Sequence, residues 1–292
     1  MIDLHAHTTA SDGTLTPQEL VDLAAVKGVG TLGVTDHDTV AGIPDALERG
    51  EARGVEIIPG IELGAKWNGS GQMHILGYHI GWQDRQLLDQ LSWLREQRRE
   101  RAQRIVGRLN ELGVSISRER VEELAGSGSI GRPHVARALI ESGHVRTISE
   151  AFSLYLSPGA PAYLPKVEFT PGEAMQLIRS SGGVPVLAHP ATLKLTGPEL
   201  EDCLEKLVSQ GLAGIEVHWA KHTEEQRTEY GRLAVRYNLV VTMGSDFHGA
   251  TKPGIELGMG FTGEVDAERI LEGLSARRGR KLSAREVVGD SA

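Results

Sequence analysis

Short apolar, β-branched runs alternate along the chain with longer runs of helical period. TLGVTDH, VEIIPGIEL, QMHILGYHI, GVPVLAHP, GIEVHW and LVVTMGSDFH are apolar stretches bounded by turn residues and predict buried strands. The opening MIDLHAH predicts another. Helix starts are marked by their capping chemistry. Thr16-Pro17-Gln18-Glu19 sets an N-cap, a proline at the first helical position and a capping-box glutamate in order. Thr170-Pro171-Gly172-Glu173 repeats that signal, and Thr223-Glu224-Glu225-Gln226 is a third capping box. Such alternation implies a parallel sheet, open or closed into a barrel.

The alternation stops between about Gln83 and Pro165. A long arginine-rich run (LSWLREQRRERAQRIVGRLNELG), SRERVEELAG, RPHVARALIESG and TISEAFSLYL all read as helical, and SPGAPAYLPK closes the segment with prolines. The expected organisation is therefore an α/β body formed by residues 1–82 and 166–292, carrying a small helical insert at 83–165. No internal repeat or low-complexity tract appears, and the polar tail after Gly279 is expected to fray.

At 292 residues, with 40% hydrophobic and 24% charged, the chain can bury a sizeable core without staples. The single cysteine, Cys203, lies in an amphipathic run and reads as a small core residue; one cysteine excludes an internal disulfide and a thiolate zinc cluster. With no basic-then-apolar leader and no apolar stretch long enough to span a bilayer, the expectation is a cytoplasmic protein without a membrane partner. The net charge of −8 argues against binding long duplex nucleic acid. That charge is uneven. Between Arg95 and Arg146 stand 11 Arg and 7 Glu, a local balance of +4 against −12 for the remainder. A basic module on an acidic body faces an anionic ligand, although most of these arginines fit an ordinary salt-bridged helix surface.

Histidine and carboxylate residues recur at strand ends. His5 and His7 are two apart, so they share one face of the first strand. His37 ends TLGVTDH, Glu62 ends VEIIPGIE, His74 lies in QMHILGY, His189 ends VPVLAH, and Asp246 and His248 end VVTMGSDFH, while Asp12 follows the first strand. In parallel β/α folds the C-terminal strand ends are where sites assemble. Imidazole with carboxylate and no thiolate suits Mn, Zn or Fe, and so many ligand types exceed one ion's needs. His79, His144 and His218 read instead as isolated core or surface residues.

The HAHTTASDG opening with TDHD, PGIE, AHP and GSDFHG resembles the PHP (polymerase and histidinol phosphatase) metallophosphoesterases, nearly end to end. GRPHVARALIESGHV, PAYLPK and DFHG resemble the insert-containing branch, which includes nucleoside 3′,5′-bisphosphate phosphatases and 5′→3′ exoribonucleases acting on short RNA. The resemblance implies a distorted (β/α)7 TIM-like barrel with two to three divalent metal ions, manganese ahead of zinc or iron. By that resemblance His5, His7 and Asp246 hold one ion, with Glu62 bridging to a second held also by His74 and His189. Asp12, His37 and His248 hold the third, Asp12 standing where several relatives have histidine. Asp36 or Asp38 is a candidate to orient an imidazole, and Asp38-Thr39 could equally cap a helix.

The expected reaction is phosphate-ester hydrolysis by a metal-bridging hydroxide, with Glu62 and Asp246 central to the catalytic centre and His222 a candidate general acid, in competition with metal-bound water. No serine elbow or P-loop offers another route. Arg132 and His134, at a loop-to-helix start with Pro133, and Lys166, where the insert returns, are the candidate phosphate-binding residues. The insert is thus read as a substrate cap, the partner as a small phosphorylated nucleotide or short RNA, and the leading reaction as removal of the 3′-phosphate of a nucleoside 3′,5′-bisphosphate. Exoribonuclease, histidinol-phosphate phosphatase and a metal-free scaffold are the alternatives. The sequence does not set the oligomeric state.

Overall fold

The structure is a computed structural model and describes residues 1–67, 71–126, 130–259 and 266–279. Residues 127–129, ahead of Arg132, and the tail beyond Gly279, expected to fray, lie outside the described residues.

In chain order the elements are β1 (Ile2–Ala6), α1 (Pro17–Lys27), β2 (Thr31–Val34), α2 (Ile43–Arg53), β3 (Glu56–Ala65), β4 (Met73–Tyr78), α3 (Arg85–Glu111), α4 (Arg118–Ala125), α5 (Arg132–Glu141) and α6 (Ile148–Ala151). A π-helical turn (Phe152–Leu156) follows, then α7 (Pro171–Ser180), β5 (Val184–Leu187), α8 (Gly197–Ser209), β6 (Gly214–Trp219), α9 (Glu224–Arg236), β7 (Val240–Gly244) and α10 (Ala267–Arg277). Capping boxes start α1 at Thr16, α7 at Thr170 and α9 at Thr223.

The chain divides into two compact units, residues 1–88 with 169–292, and residues 89–168. In the first, the seven strands form one sheet in sequence order. Ala6 bridges Phe247, and the Asp246 amide donates to the His5 carbonyl at 2.8 Å, so the two edges meet and the sheet is a nearly closed barrel. The pairings β1–β2, β2–β3, β5–β6 and β6–β7 are parallel, as expected. Those of β4 are not: it runs antiparallel to both β3 and β5. The connection from Ala65 to Met73 is seven residues long, fewer than the dozen or so a parallel crossover needs, so the strand returns antiparallel. Every residue of β1 is buried; by alternation Ile2, Leu4 and Ala6 share one face and join apolar clusters, leaving Asp3, His5 and His7 on the other.

The second unit has its own apolar core, in which Ile105, Val106 and Leu109 of α3 pack with Val121, Val135, Leu139 and Leu156. Among the described residues no helix is long and apolar enough to cross a membrane.

Candidate metal centre

The barrel unit gathers the strand-end residues around one carboxylate. Glu62 is fully buried in β3, and five imidazoles surround it. Its Oε2 lies 3.3 Å from His5 Nε2, 3.2 Å from His7 Nε2 and 3.2 Å from His37 Nδ1. Its Oε1 lies 2.9 Å from both His74 Nδ1 and His189 Nε2. Each neighbour arrives for a local reason. His37 lies beyond the end of β2, where a parallel bridge sets it beside Glu62. His74 is not at a C-terminal strand end: it is near the start of β4, and reaches the site because β4 is reversed. Leu76 pairs with Glu62, so His74, two residues away, is a diagonal neighbour on the same face. His189 follows β5 with a left-handed backbone, φ 25° and ψ 63°.

Asp246 follows β7, also with positive φ (59°). Its Oδ1 lies 3.5, 3.4 and 3.4 Å from His5 Nε2, His7 Nε2 and His248 Nδ1, and its Oδ2 2.8 Å from Lys252 Nζ. Asp12 completes the rim, with Oδ1 3.2 Å from His248 Nε2 and 3.7 Å from His7 Nδ1; its side chain is 57% exposed.

Three overlapping groups among the described residues could hold an ion: His5, His7, Glu62 and Asp246; His37, Glu62 and His74; and His7, Asp12, His37 and His248. The partition expected from the resemblance differs in detail. His37 falls in two groups and His7 in two, while His189 touches Glu62 without joining any. The atoms also fit a cation electronically. His5 Nε2, both ring nitrogens of His7, Glu62 Oε2, Asp246 Oδ1 and His248 Nε2 are buried without a hydrogen-bond partner among the described residues. They are close to one another but converge instead of pairing, and buried polar atoms carry a penalty unless a partner satisfies them. Burial would raise the Glu62 carboxyl, yet His37, His74 and His5 hold it well below the usual carboxylate range. Burial also opposes ionisation of Asp246, but His5 and His7 outweigh it and hold its carboxyl below the usual range. For His7 burial, which lowers its pKa, is overcome by the Asp246 and Glu62 carboxylates, which raise it to about 9.

The sequence offers Asp36 or Asp38 to orient an imidazole, and Asp38 alternatively to cap a helix. Asp36 orients no imidazole: its oxygens accept from the Thr8 amide at 2.7 Å, the Thr8 hydroxyl at 2.7 Å and the Ser11 hydroxyl at 2.6 Å, fixing the loop that carries Asp12. Asp38 caps no helix, since α2 begins at Ile43 with Gly42 as its N-cap. His222 is buried against Trp219 and Tyr230 and belongs to none of the ion-holding groups. Its Nδ1 must carry the ring proton to donate to the Val217 carbonyl at 2.8 Å. Burial lowers its pKa, which favours the neutral ring with its proton on Nδ1.

The candidate phosphate-binding residues lie in the second unit. Arg132 opens α5; its guanidinium donates to the Leu156 carbonyl at 3.0 Å and sits 5.3 Å from the Phe152 ring centroid and 5.6 Å from that of Tyr163. His134 caps the same helix, its Nδ1 accepting from the Gly131 amide at 3.0 Å, which leaves only Nε2–H for a ligand. Lys166 pairs with Glu168 at 3.0 Å, and burial together with Arg98 and Arg101 lowers its pKa. Burial and nearby Arg132 lower Arg101 in turn, so these cations crowd one another.

Sequence reasoning missed three contributors. Lys252 pairs with Asp246, Asp3 accepts from the amides of His5, Ser245 and Gly258, and Glu216 contacts both His5 and His189. For Asp3 and Glu216 the available signal was an acidic residue inside an otherwise apolar strand run.

The PHP domain family model matches residues 3–151. The chain is 37% identical over 258 residues to 5′-3′ exoribonuclease Rnm of Salmonella typhimurium, covering 88% of this chain and 87% of that protein. It is 32% identical over 258 residues to the 3′,5′-nucleoside bisphosphate phosphatase of Chromobacterium violaceum, covering 88% and 90%. A solved structure from Bifidobacterium adolescentis, assigned as a metal-dependent phosphoesterase, superposes with a TM-score of 0.78 at 32% identity, covering 94% of this chain and 96% of that one.

Proposed function

The chain belongs to the PHP domain family, and from that premise we propose that it is a metal-dependent phosphoric ester hydrolase removing the 3′-phosphate of nucleoside 3′,5′-bisphosphates. The observation that carries the reading is the convergence of buried, unsatisfied imidazole and carboxylate atoms around Glu62. A second activity of the same site, trimming of short 5′-phosphorylated RNA from its 5′ end, is favoured by the likeness to exoribonuclease Rnm.

Each residue has a distinct task in this proposal. His5, His7, Glu62 and Asp246 hold the first of two to three divalent ions, manganese ahead of zinc or iron. Glu62 also serves the second with His37, His74 and His189, and Asp12, His37 and His248 hold the third. When bound, the ions supply Lewis acidity toward phosphoryl oxygens and activate water. Glu62 and Asp246 stay ionised across the neutral range, because the surrounding imidazoles hold their pKa values down. Lys252 neutralises the outer oxygen of Asp246. Arg132, with the Nε2–H of His134 and with Lys166, contacts a second phosphate group of the substrate. Arg101 and Lys166, whose pKa values are lowered by burial and by neighbouring guanidinium groups, support that role, since gathered like charges favour an anion. The single, buried cysteine is consistent with a cytoplasmic location.

The test is a substrate panel with manganese present: nucleoside 3′,5′-bisphosphates, nucleoside monophosphates, short 5′-phosphorylated RNAs and histidinol phosphate, assayed for released phosphate and nucleotide. Preference for the bisphosphate with phosphate released supports the main reading, and stepwise nucleotide release from RNA supports the second. Turnover of histidinol phosphate above all others sinks both. Metal content far below one ion per chain, unrestored by added manganese or zinc, would make the protein a scaffold.

A further inference from the structure

Glu216, in β6, is a fully buried carboxylate whose two oxygens are both committed. Oε1 lies 2.9 Å from His5 Nδ1, and Oε2 accepts from the backbone N–H of His189 at 2.7 Å. The two histidines enter the cluster from different strands, β1 and the end of β5, and their rings stack with centroids 5.7 Å apart. The other ring nitrogen of His5, Nε2, faces Glu62 at 3.3 Å and Asp246 at 3.5 Å. His189 Nε2 lies 2.9 Å from Glu62 Oε1.

We infer that Glu216 is a positioning residue for the metal centre: one oxygen fixes the ring of His5 and the other holds the backbone of His189. The inference rests on reading the cluster around Glu62 as a cation site. For His5, an acceptor at Nδ1 keeps the proton there, so the Nε2 lone pair faces Glu62 and Asp246, as a ligand requires. For His189 the role is mechanical. Its φ of 25° lies in a region that side-chain-bearing residues rarely adopt, and such a conformation persists only where neighbours over-determine it. The bond from its amide to Glu216 is one such restraint.

The chemistry demands a carboxylate. Both partners of Glu216 are donors, and both its oxygens accept. Glutamine has the same shape but offers one acceptor and one donor. If its oxygen takes the His189 amide, its NH2 faces His5 Nδ1, which must then accept. The ring proton moves to Nε2, the atom that has to ligate. If the oxygen takes His5 instead, the NH2 opposes the His189 N–H and the turn loses its restraint. Either way one histidine is lost as a well-placed ligand.

The experiment titrates metal-free wild type, Glu216→Gln, Glu216→Asp and Glu62→Ala with Mn2+ by calorimetry, with thermal melts of the same metal-free samples. Glu216→Gln is expected to melt as a folded protein and to bind its tightest ion roughly ten- to a hundredfold more weakly, the usual effect of losing a residue that orients a ligand. Glu216→Asp, which keeps two acceptors on a shorter arm, should fall between. In samples with 15N-labelled histidine titrated with Zn2+, the His5 signal should report a protonated Nδ1 in wild type and lose that signature in Glu216→Gln. A role confined to folding would lower the melting temperature and leave both the affinity and the ring signature intact. Wild-type affinity in Glu216→Gln beside loss in Glu62→Ala overturns this inference and leaves the metal centre standing. Wild-type affinity in Glu62→Ala overturns the metal centre itself. Failure of both Glu216 variants to fold makes the residue a structural one and likewise overturns the inference.

Discussion

Glu62 is the residue on which the site turns, because five imidazoles approach its two oxygens within 3.3 Å. Removing it leaves those rings without a central anion and deprives at least two candidate ions of a ligand. Glu62→Ala should lose nearly all turnover and most bound metal; wild-type values for both, by assay and elemental analysis, would refute the cluster. Asp12 is more tolerant, being more than half exposed at the rim. Asp12→His should retain more activity than Asp12→Ala, since imidazole still ligates, and equal losses would give Asp12 a role other than ligation. A pH dependence follows from His7. Its folded pKa of about 9 exceeds the ordinary 6.5, so the metal-free folded state holds a proton that the unfolded state releases first. That contribution is fully present below about pH 6.5 and is lost as pH rises through about 9. Thermal melts of the metal-free protein should therefore fall across this window, while Mn2+ affinity rises, because the ion competes with the proton.

At the scale of elements, the seam between β1 and β7 decides whether the ligands meet. Gly244 ends β7 directly against His5: a Cβ there would overlap the His5 Cβ and press on its backbone nitrogen. Gly244→Ala should force the seam apart, lowering the melting temperature and, with it, metal content. Gly231, inside α9, makes the opposite case, for a Cβ there meets nothing within 4 Å. Gly231→Ala should stabilise by about 0.5–1 kcal/mol through helix propensity alone, without changing metal content. Helix starts at Thr16, Thr170 and Thr223 were legible in the sequence because a capping box is a contact between residues three apart. The direction of β4 was not, because alternation of apolar residues is the same in parallel and antiparallel strands, and only the short connection before it points to a return.

For the whole molecule, the prediction concerns the proposed phosphate-binding role of Arg132. It lies in the unit of residues 89–168, where it and burial lower the pKa of Arg101. Arg132→Ala should raise KM for a nucleoside 3′,5′-bisphosphate or a 5′-phosphorylated dinucleotide roughly ten- to a hundredfold, the equivalent of a charge-assisted bond of about 1.5–3 kcal/mol. A simple aryl phosphate, with only the reacting phosphoryl group, should be little affected. Arg132→Lys should restore part of the loss, because an ammonium has neither the planar fork nor the same stacking on Phe152 and Tyr163. An equal fall in kcat/KM for both substrates would show that Arg132 acts on the reacting group or on the packing of its own unit.

The sequence by itself determined the elements, their caps and the residues able to hold cations, since periodicity, capping and ligand chemistry are local properties. His5 and His7 on one strand face, and Asp246 and His248 just past another strand, were visible as spacings. Tertiary structure alone decided which atoms converge and which are already taken. The reversed β4 brings His74 to Glu62, the Val217 carbonyl accepts from the Nδ1–H of His222, Thr8 and Ser11 donate to Asp36, and Glu216 joins His5 to His189. Each of these depends on a partner distant in sequence or on the direction of a lone pair. Hydrogen-bonding capacity is a property of residue type, but its allocation is fixed only when the barrel closes and most buried donors and acceptors find partners.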